Sequence, residues 1–166
     1  LINKINYDLQ NELGIKKDSP KVFFTGTFSK AFDFDQILTA AKSLRNCQFI
    51  LCGHGPDLIE VKKLMKGLSN VYFPGWINRI QLESLADMSI ATLAPYKNIL
   101  NFTLNIPNKI VDSLLLGLPI LTPLKGEVEL LIKRNEVGLL YEDGRSLANK
   151  ISTLIKDNEL QRKMSI

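Results

Sequence analysis

Short apolar runs alternate with amphipathic segments along the chain. The apolar runs predict buried strands at Lys21–Gly26, Cys47–Cys52, Val71–Phe73, Ser89–Ala94, Leu118–Thr122 and Val137–Tyr141. The amphipathic segments predict helices at Leu1–Leu13, Gln36–Leu44, Asp57–Met65, Arg79–Asp87, Pro107–Leu116, Gly126–Lys133, Arg145–Ile155 and Asp157–Ile166. Asp35 and Asp57 are predicted to cap the helices that follow them. This alternation predicts an α/β fold whose parallel sheet is covered by helices on both faces.

Loops at one edge of this sheet are the expected place for a ligand, because parallel sheets bind ligands outside the carboxyl ends of their strands. The loops that reach this edge follow Gly26, Gly53, Gly75, Pro95 and Thr122. The longest segment without a clear pattern, Lys97–Ile106, is among them. Long loops inside compact domains are often functional.

The segment from Asn105 to Thr122 carries the most informative polar pattern. Asn108, Lys109 and Asp112 lie on the first turn and a half of an otherwise apolar helix that begins near Pro107. A helix N-terminus favours phosphate, Lys109 adds a full positive charge, and Asp112 could hold ribose hydroxyls. A capped helix with a solvated polar face would account for the same residues, and this segment alone leaves both interpretations open.

Composition indicates one globular domain, residues 1–166. Hydrophobic residues make up 45% of the chain, the mean hydropathy is +0.03, and no apolar run is long enough to span a bilayer. No secretory signal pattern occurs. Because the first residue is Leu1 and the chain enters directly into a predicted helix, we expect it to be part of a longer protein.

The charges and cysteines narrow the function classes. The net charge of +4 comes from 21 basic and 17 acidic residues, and the basic residues are scattered, which favours small anionic partners over nucleic acid. Cys47 and Cys52 flank a predicted buried strand and are expected to be reduced. Two cysteines and one histidine do not make a Cys/His zinc cluster of the usual kind. The only Asp-x-Asp pair, Asp33 and Asp35, is better explained by helix capping than by a metal.

Several common nucleotide and hydrolase motifs are missing. Gly53-His54-Gly55 supplies two glycines of a dinucleotide fingerprint, but Leu58 occupies the third position. The sequence contains no Gly-Lys-Ser/Thr loop and no Gly-x-Ser-x-Gly elbow. Hydride transfer, ATP hydrolysis and serine hydrolysis are therefore disfavoured.

Three further side chains have both a functional and a structural interpretation. His54 could donate to a phosphate or hydroxyl, although a tolerated turn residue is the commoner case. Trp76 could stack on a base or brace its turn, and bracing is favoured. Glu129 could meet sugar hydroxyls, but acids in the first turn of a helix are common for dipole reasons alone.

The order and spacing of several short motifs resemble one known family. They are Phe49–Pro56, a hydrophobic strand ending in Gly-x-Gly-Pro; Val71–Trp76, a Val-x-Phe-x-Gly step; Leu85–Ala91, an alanine-aspartate strand entry; Gly117–Leu121, similar to Gly-x-Pro-Val-Ile; Gly126 with Glu129; and Val137–Leu140. Together they resemble the C-terminal, donor-binding domain of the group 1 family of retaining glycosyltransferases. The resemblance implies a Rossmann-like parallel sheet, one half of a two-domain GT-B fold.

The resemblance also implies a set of site residues. The donor would contact Gly26, Thr27, His54, Trp76, Ile77, Asn105, Asn108, Lys109, Asp112, Gly126 and Glu129, with Lys109 and Asp112 in catalytic roles. The sequence departs from the family pattern at three positions: Thr27 replaces an arginine, Phe32 a lysine, and Leu104, or a residue next to it, the first of two glutamates. Lys109 is the expected replacement cation, in a Pro-x-Lys-x-x-Asp/Glu variant found in family members that build bacterial surface polysaccharides.

The expected function is transfer of a sugar from a nucleotide-diphosphate sugar, most simply a UDP-sugar, to an acceptor in polysaccharide or glycoconjugate biosynthesis. The nucleotide sugar is the substrate, and no cofactor or metal is expected. A glycan or lipid-linked glycan would bind through an N-terminal domain outside this chain, which alone would be inactive. We expect a cytoplasmic location, with peripheral membrane contact left open. The alternatives are a non-catalytic relative or binding module of the same fold, and an enzyme of the nucleotide-sugar 2-epimerase type.

Overall fold

A single parallel sheet organises residues 10–165, the part of the chain that the computed structural model describes. Its strands are β1 (Lys21–Thr25), β2 (Gln48–Cys52), β3 (Val71–Gly75), β4 (Ala91–Leu93), β5 (Ile120–Thr122) and β6 (Gly138–Leu140). All pairings are parallel, and the order of the six strands is β3-β2-β1-β4-β5-β6. This confirms the predicted α/β, Rossmann-like fold.

Helices connect the strands and follow the last one. They are α1 (Phe34–Ser43), α2 (Leu58–Leu64), α3 (Arg79–Asp87), α4 (Leu100–Thr103), α5 (Asn108–Leu115), α6 (Glu127–Asn135), α7 (Gly144–Lys156) and α8 (Asn158–Met164). Of the predicted helix Leu1–Leu13, residues 10–13 are helical, whereas residues 1–9 lie outside the described part. None of the helices within the described residues has the length and apolar character needed to cross a membrane.

Alternation along the central strands sends side chains into two apolar layers. Val22 and Phe24 of β1 belong to the larger layer, which includes residues of α1, α6 and α7. Phe23, between them, belongs to the smaller layer, together with Leu85 and Ala86 of α3. The centre of the sheet is therefore covered on both faces, as a parallel sheet requires.

Both cysteines lie in this interior. Cys47 and Cys52 are free, buried thiols, as expected, and each is 1% exposed. Burial raises the pKa of both thiols to about 12, because the thiolate would lose its hydration.

Local capping differs from the prediction at two helices. The N-cap of α1 is Asp33, whose carboxylate accepts a hydrogen bond from the Asp35 N–H at 3.2 Å, so the prediction that Asp35 caps the helix is wrong. Asp57 precedes α2 as predicted but makes no side-chain cap. Its carboxylate lies 3.4 Å from Lys30 Nζ instead, because a full charge on the neighbouring loop competes for it.

Two segments also contain more regular structure than predicted. Pro74 and Gly75, expected in a turn, extend β3; this is possible because β3 is an edge strand, where a proline leaves no ladder hydrogen bond unmade. The patternless Lys97–Ile106 segment contains the single helical turn α4, whose residues are not buried.

Candidate functional site

The sheet order reverses between β1 and β4, the two central strands. From β1 the chain continues toward β2 and β3, and from β4 toward β5 and β6. The loops that leave these neighbouring strands separate at their carboxyl ends, and this is where open parallel sheets bind ligands. Gly26 follows β1 at this point, and the loop after β4 leads to the N-terminus of α5.

Lys109, in the first turn of α5, extends its side chain to the end of β1. Its Nζ lies 4.9 Å from the centroid of the Phe24 ring and 5.7 Å from that of Phe32. Gly26 makes this approach possible, since a Cβ at that position would overlap the ammonium group. Among residues 10–165, Lys109 Nζ has no ion-pair partner within 4.0 Å. An ammonium group with spare hydrogen-bonding capacity therefore stands at the switch point.

Burial acts on the acid-base properties of this group. It lowers the pKa of Lys109 to about 8, and the carboxylate of Asp112, one turn further along α5, offsets part of that effect. Burial and the charge of Asp112 also raise the pKa of Tyr96, in the loop after β4, to about 12. At neutral pH the site therefore contains a positive ammonium group and a neutral phenol.

The N-terminus of α5 adds further positive potential beside this ammonium group. Pro107 is the N-cap and makes no side-chain hydrogen bond to the first turn. The leading N–H groups of the helix are thus not neutralised by a capping side chain, and an anion would interact favourably with them.

A cavity of about 500 Å³ opens between α3 and α5, next to Lys109. Phe23, Thr25, Thr92 and Leu93 form its floor on the sheet. Its α5 wall includes Lys109, Asp112 and Ser113, and its α3 wall includes Arg79, Leu82, Glu83, Ala86 and Asp87. Arg79 and Glu83 form an exposed ion pair at 2.8 Å. The cavity thus combines a floor of two apolar side chains and two threonines with charged groups at its margin, as small-molecule sites commonly do.

The glycines after β1 and β2 are explained by backbone packing. The Gly26 N–H donates to the Cys52 carbonyl at 3.0 Å, and the Phe28 N–H donates to the His54 carbonyl at 2.8 Å. A Cβ on Gly53 would overlap the Gly26 carbonyl, and one on Gly55 would overlap the Phe28 backbone. Gly53 and Gly55 therefore let the loops after β1 and β2 lie against each other. This packing explains both glycines without a role in phosphate binding.

The structure brings part of the predicted site together. Gly26 contacts Lys109, Asp112 lies close enough to shift its pKa, and Asn108 precedes Lys109 at the start of α5. Thr27 is exposed directly after Gly26. These residues share the end of β1 and the start of α5.

Three predicted residues lie at the ends of β2 and β3. His54 is exposed, and its ring lies over Gly75. Ile77 packs against the smaller apolar layer. Trp76 is 70% exposed, so the prediction that its ring braces the turn is wrong: an indole with that exposure has few packing partners to hold in place.

The remaining predicted residues have evident structural partners. Asn105 Nδ2 donates to the Asn101 carbonyl at 3.2 Å. Gly126 is pressed against the Thr103 backbone, which a Cβ would overlap. Glu129 accepts a hydrogen bond from Lys133 at 2.7 Å, and this bond, with the Gly126 N–H and other neighbours, lowers the pKa of its carboxyl group. These contacts account for Glu129 within its own helix.

The three positions that depart from the family pattern have different surroundings. Phe32 is 8% exposed and Leu104 is 63% exposed, while Thr27 is exposed. Phe32 packs edge-on against Phe24, with ring centroids 5.0 Å apart, and against Tyr96 at 4.6 Å. The aromatic side chain at position 32 is thus an integral part of the interior.

Asn98 is a positioning residue that no sequence pattern singles out. Its Nδ2 donates to the Pro123 carbonyl at 2.8 Å, and its Oδ1 accepts from the Lys125 N–H at 2.8 Å. It therefore fastens the loop after β4 to the loop after β5. One asparagine in a patternless loop carries no periodic signal, and its partners are distant in sequence.

Comparisons with known proteins cover nearly the whole chain. Residues 7–166 match the family model described as glycosyl transferases group 1. No curated protein sequence matches the chain significantly.

Solved structures with the same architecture share little sequence with it. HepE from Anabaena, in complex with UDP and glucose, is 20% identical, with a TM-score of 0.77 over 98% of this chain and 47% of that one. Sucrose-phosphate synthase from Thermosynechococcus elongatus is 19% identical, with a TM-score of 0.75 over 95% and 41%. The catalytic domain of cholesterol-α-glucosyltransferase from Helicobacter pylori is 15% identical, with a TM-score of 0.70 over 87% and 91%. The chain spans less than half the length of the first two.

Proposed function

The chain belongs to the group 1 family of glycosyltransferases, and on that premise we propose that it forms the nucleotide-sugar site of a retaining transferase with UDP-sugar as donor. The diphosphate would lie at the carboxyl ends of β1 and β4, between Gly26 and the N-terminus of α5. The complexes of HepE with UDP and with UDP-glucose support this choice of donor, since HepE has the same fold over 98% of this chain.

One observation carries the proposal: the ammonium group of Lys109 is partly desolvated at the switch point and has no anionic partner within 4.0 Å among the described residues. Holding a cation away from water without a counter-charge costs free energy. A diphosphate would supply that counter-charge and would also meet the uncapped N-terminus of α5.

The chemistry follows from this placement. As the bond between sugar and diphosphate breaks, negative charge grows on the leaving diphosphate, and a preorganised ammonium group stabilises that charge. Asp112 is placed one turn along α5 from Lys109 and lines the same cavity, where its carboxylate can accept hydrogen bonds from ribose hydroxyls. In this scheme Lys109 substitutes for the cations that Thr27 and Phe32 do not supply.

We propose that the acceptor binds mainly to residues other than those described here. A glycan or lipid-linked glycan would approach from an N-terminal domain, and the acceptor would enter polysaccharide or glycoconjugate synthesis on the cytoplasmic side of a membrane. A metal has no assigned part in the scheme, because Lys109 and the α5 N-terminus supply positive charge to the diphosphate.

Calorimetric titration of the chain with UDP, GDP and ADP tests the proposal. We expect UDP to bind more tightly than the other two. Lys109→Met should weaken UDP binding by about 1 to 3 kcal/mol, as for a lost hydrogen bond to a charged group. Lys97→Met is the matched control, because it removes an exposed lysine on the same edge of the sheet and should leave the affinity within about twofold.

Two results would contradict this assignment. Equal weakening by both lysine substitutions would mean that UDP responds to net charge and not to a site. Absence of binding by all three nucleotides would favour a non-catalytic relative, in which Thr27, Phe32 and Leu104 mark lost function.

A further inference from the structure

Phe24 and Phe32, here called the aromatic pair, face the Lys109 ammonium group at the switch point. We propose that the aromatic pair positions the Lys109 ammonium group for the donor diphosphate, which makes Phe24 and Phe32 positioning residues of the transferase. This inference rests on the proposed function and adds a role for the position where the family pattern has a lysine.

Both rings approach the ammonium group at distances typical of cation–π contacts. Lys109 Nζ lies 4.9 Å from the Phe24 centroid and 5.7 Å from the Phe32 centroid. Such contacts are attractive within about 6 Å, and more so when the cation is partly desolvated. A Cβ at position 26 would overlap the ammonium group, so Gly26 keeps the space beside this group open.

The rings are themselves held firmly. Phe24 is fully buried on β1, and its ring packs edge-on against that of Phe32 with centroids 5.0 Å apart. Phe32 forms an antiparallel bridge with Tyr96, and their ring centroids are 4.6 Å apart. The aromatic pair is therefore fixed by β1 on one side and by the loop after β4 on the other.

An aromatic contact, unlike an ion pair, leaves the charge and the N–H donors of the lysine available to a ligand. A carboxylate beside Lys109 would neutralise its charge and compete with the diphosphate. The ring faces attract the cation but accept no strong hydrogen bond, so the charge and the N–H donors remain available to an incoming anion. The charged groups that could compete are Asp112 on α5 and, across the cavity, Glu83 and Asp87 on α3. None of these three carboxylates lies within 4.0 Å of Lys109 Nζ in the described structure.

Phenylalanine at position 32 then has a different role from the lysine that the family pattern has there. In the family pattern the residue at this position supplies the cation. In this chain the cation comes from α5, and position 32 supplies part of the surface that holds it. Loss of the lysine at position 32 is therefore not by itself evidence of lost function.

Three variants separate positioning from packing. Phe32→Leu removes one ring face and keeps an apolar side chain, and Phe32→Tyr restores the ring. Phe34→Leu is the matched control, because the Phe34 ring packs against Phe24 at 5.3 Å but is not among the rings that contact Lys109. Should Phe32→Leu fail to fold, Phe24→Leu removes the nearer ring and takes its place.

Two measurements are made on each variant. The first is the NMR chemical shift of the Lys109 ε-CH2 protons without ligand, which ring currents displace upfield when they lie over aromatic faces. The second is UDP affinity. We expect Phe32→Leu to lose part of the displacement and to bind UDP roughly 3- to 10-fold more weakly, the cost of ordering one long side chain on binding. Phe32→Tyr and Phe34→Leu should match the wild type within about twofold.

The outcomes distinguish this inference from the function on which it rests. The positioning role would be overturned by unchanged ε-CH2 shifts in Phe32→Leu, or by equal losses of UDP affinity in Phe32→Leu and Phe34→Leu. In either case, UDP binding by the wild type would still support the donor site. A displaced ε-CH2 signal in a wild type that binds no UDP would overturn both the donor site and the role of the aromatic pair in binding.

Discussion

At the scale of single residues, the chemistry of the site depends on the charge state of Lys109. Its ammonium group lies against two aromatic rings and away from bulk water, and burial lowers its pKa to about 8. The group is positive at neutral pH, and it loses its proton at pH values that ordinary assays can reach. Few surface lysines share this property, because a solvated ammonium group stays protonated to about pH 10.

Donor affinity should therefore depend on pH. Below about pH 8 the free chain carries the ammonium form and binds the diphosphate at full strength. Above it, each binding event requires uptake of a proton, so UDP affinity should fall about tenfold per pH unit. Calorimetry between pH 7 and 9.5, in buffers of different ionisation enthalpy, would measure both the affinity and the proton uptake.

Lys109→Met provides the control for this dependence. It should bind UDP weakly, with little change across the same pH range, since the titrating group is gone. Burial raises the pKa of Tyr96, in the loop after β4, to about 12, so its phenol stays neutral throughout. A wild-type affinity that is constant to pH 9.5 would show that Lys109 is either more solvated than the structure indicates or not a ligand of the diphosphate.

The sequence is informative about which residues matter and much less so about their surroundings. A lysine and an acid on the first turns of an apolar helix are enough to single out Lys109 and Asp112. The direction of the lysine side chain depends on four rotatable bonds and on rings at positions 24 and 32, which lie far away along the chain. The wrong prediction for Trp76 has the same origin, because bracing requires neighbours that no local pattern specifies.

At the scale of elements, the loops after β4 and β5 act as one unit. Asn98 bonds to both the carbonyl of Pro123 and the N–H of Lys125, and Gly126 packs on the Thr103 backbone. Together these contacts fix the segment that leads into α5. The position of Lys109 thus depends on a loop junction as well as on its own helix.

Breaking that junction should weaken both stability and binding. Asn98→Ala removes two cross-loop hydrogen bonds, and we expect it to lower the free energy of unfolding by about 1 to 2 kcal/mol. UDP affinity should also fall, because the loop that positions α5 gains freedom. Urea unfolding and UDP titration would measure the two effects.

Asn101→Ala is the matched control for the loop junction. Asn101 is an exposed asparagine in α4, and the contact it makes to Asn105 uses its main-chain carbonyl. Its replacement should change stability by less than about 0.5 kcal/mol. Equal effects of the two substitutions would show that the Asn98 bonds do not hold the loops together.

Element boundaries show where local patterns are sufficient. The predicted α3 coincides with the observed Arg79–Asp87, since its apolar spacing and its N-cap residue Asn78 agree. At α1 two aspartates compete for the cap, and Asp33 has it because Phe34 is already helical and buried. The extension of β3 through Pro74 depends on its being an edge strand, which only the sheet order reveals.

At the scale of the whole molecule, the long helix α7 closes the larger apolar layer against α1. α7 packs along α1, and Gly144 at its start allows the approach. A Cβ at this position would lie 2.7 Å from the Gln36 carbonyl oxygen. The element order alone predicts the sheet, but it does not predict this closure, because the contact joins residues more than a hundred positions apart.

Gly144→Ala tests how much this closure contributes. In a free helix the change would be favourable by about 1 kcal/mol. Here we expect it to destabilise the domain by about 1 to 3 kcal/mol, as overpacking in an interior does. Asn149→Ala, at an exposed position of the same helix, should be neutral or slightly stabilising. A stabilising Gly144→Ala in urea unfolding would mean that α1 and α7 can separate without cost.

The burial of both thiols also determines how the molecule can be labelled. Cys47 and Cys52 have pKa values near 12 and are 1% exposed, so they should not react with maleimides while the chain is folded. Their slow modification would measure the rate at which the folded chain opens spontaneously. A reporter cysteine placed at exposed Leu100 would then react alone. A fluorophore there could follow the loop beside Lys109 in real time, with the native cysteines left in place.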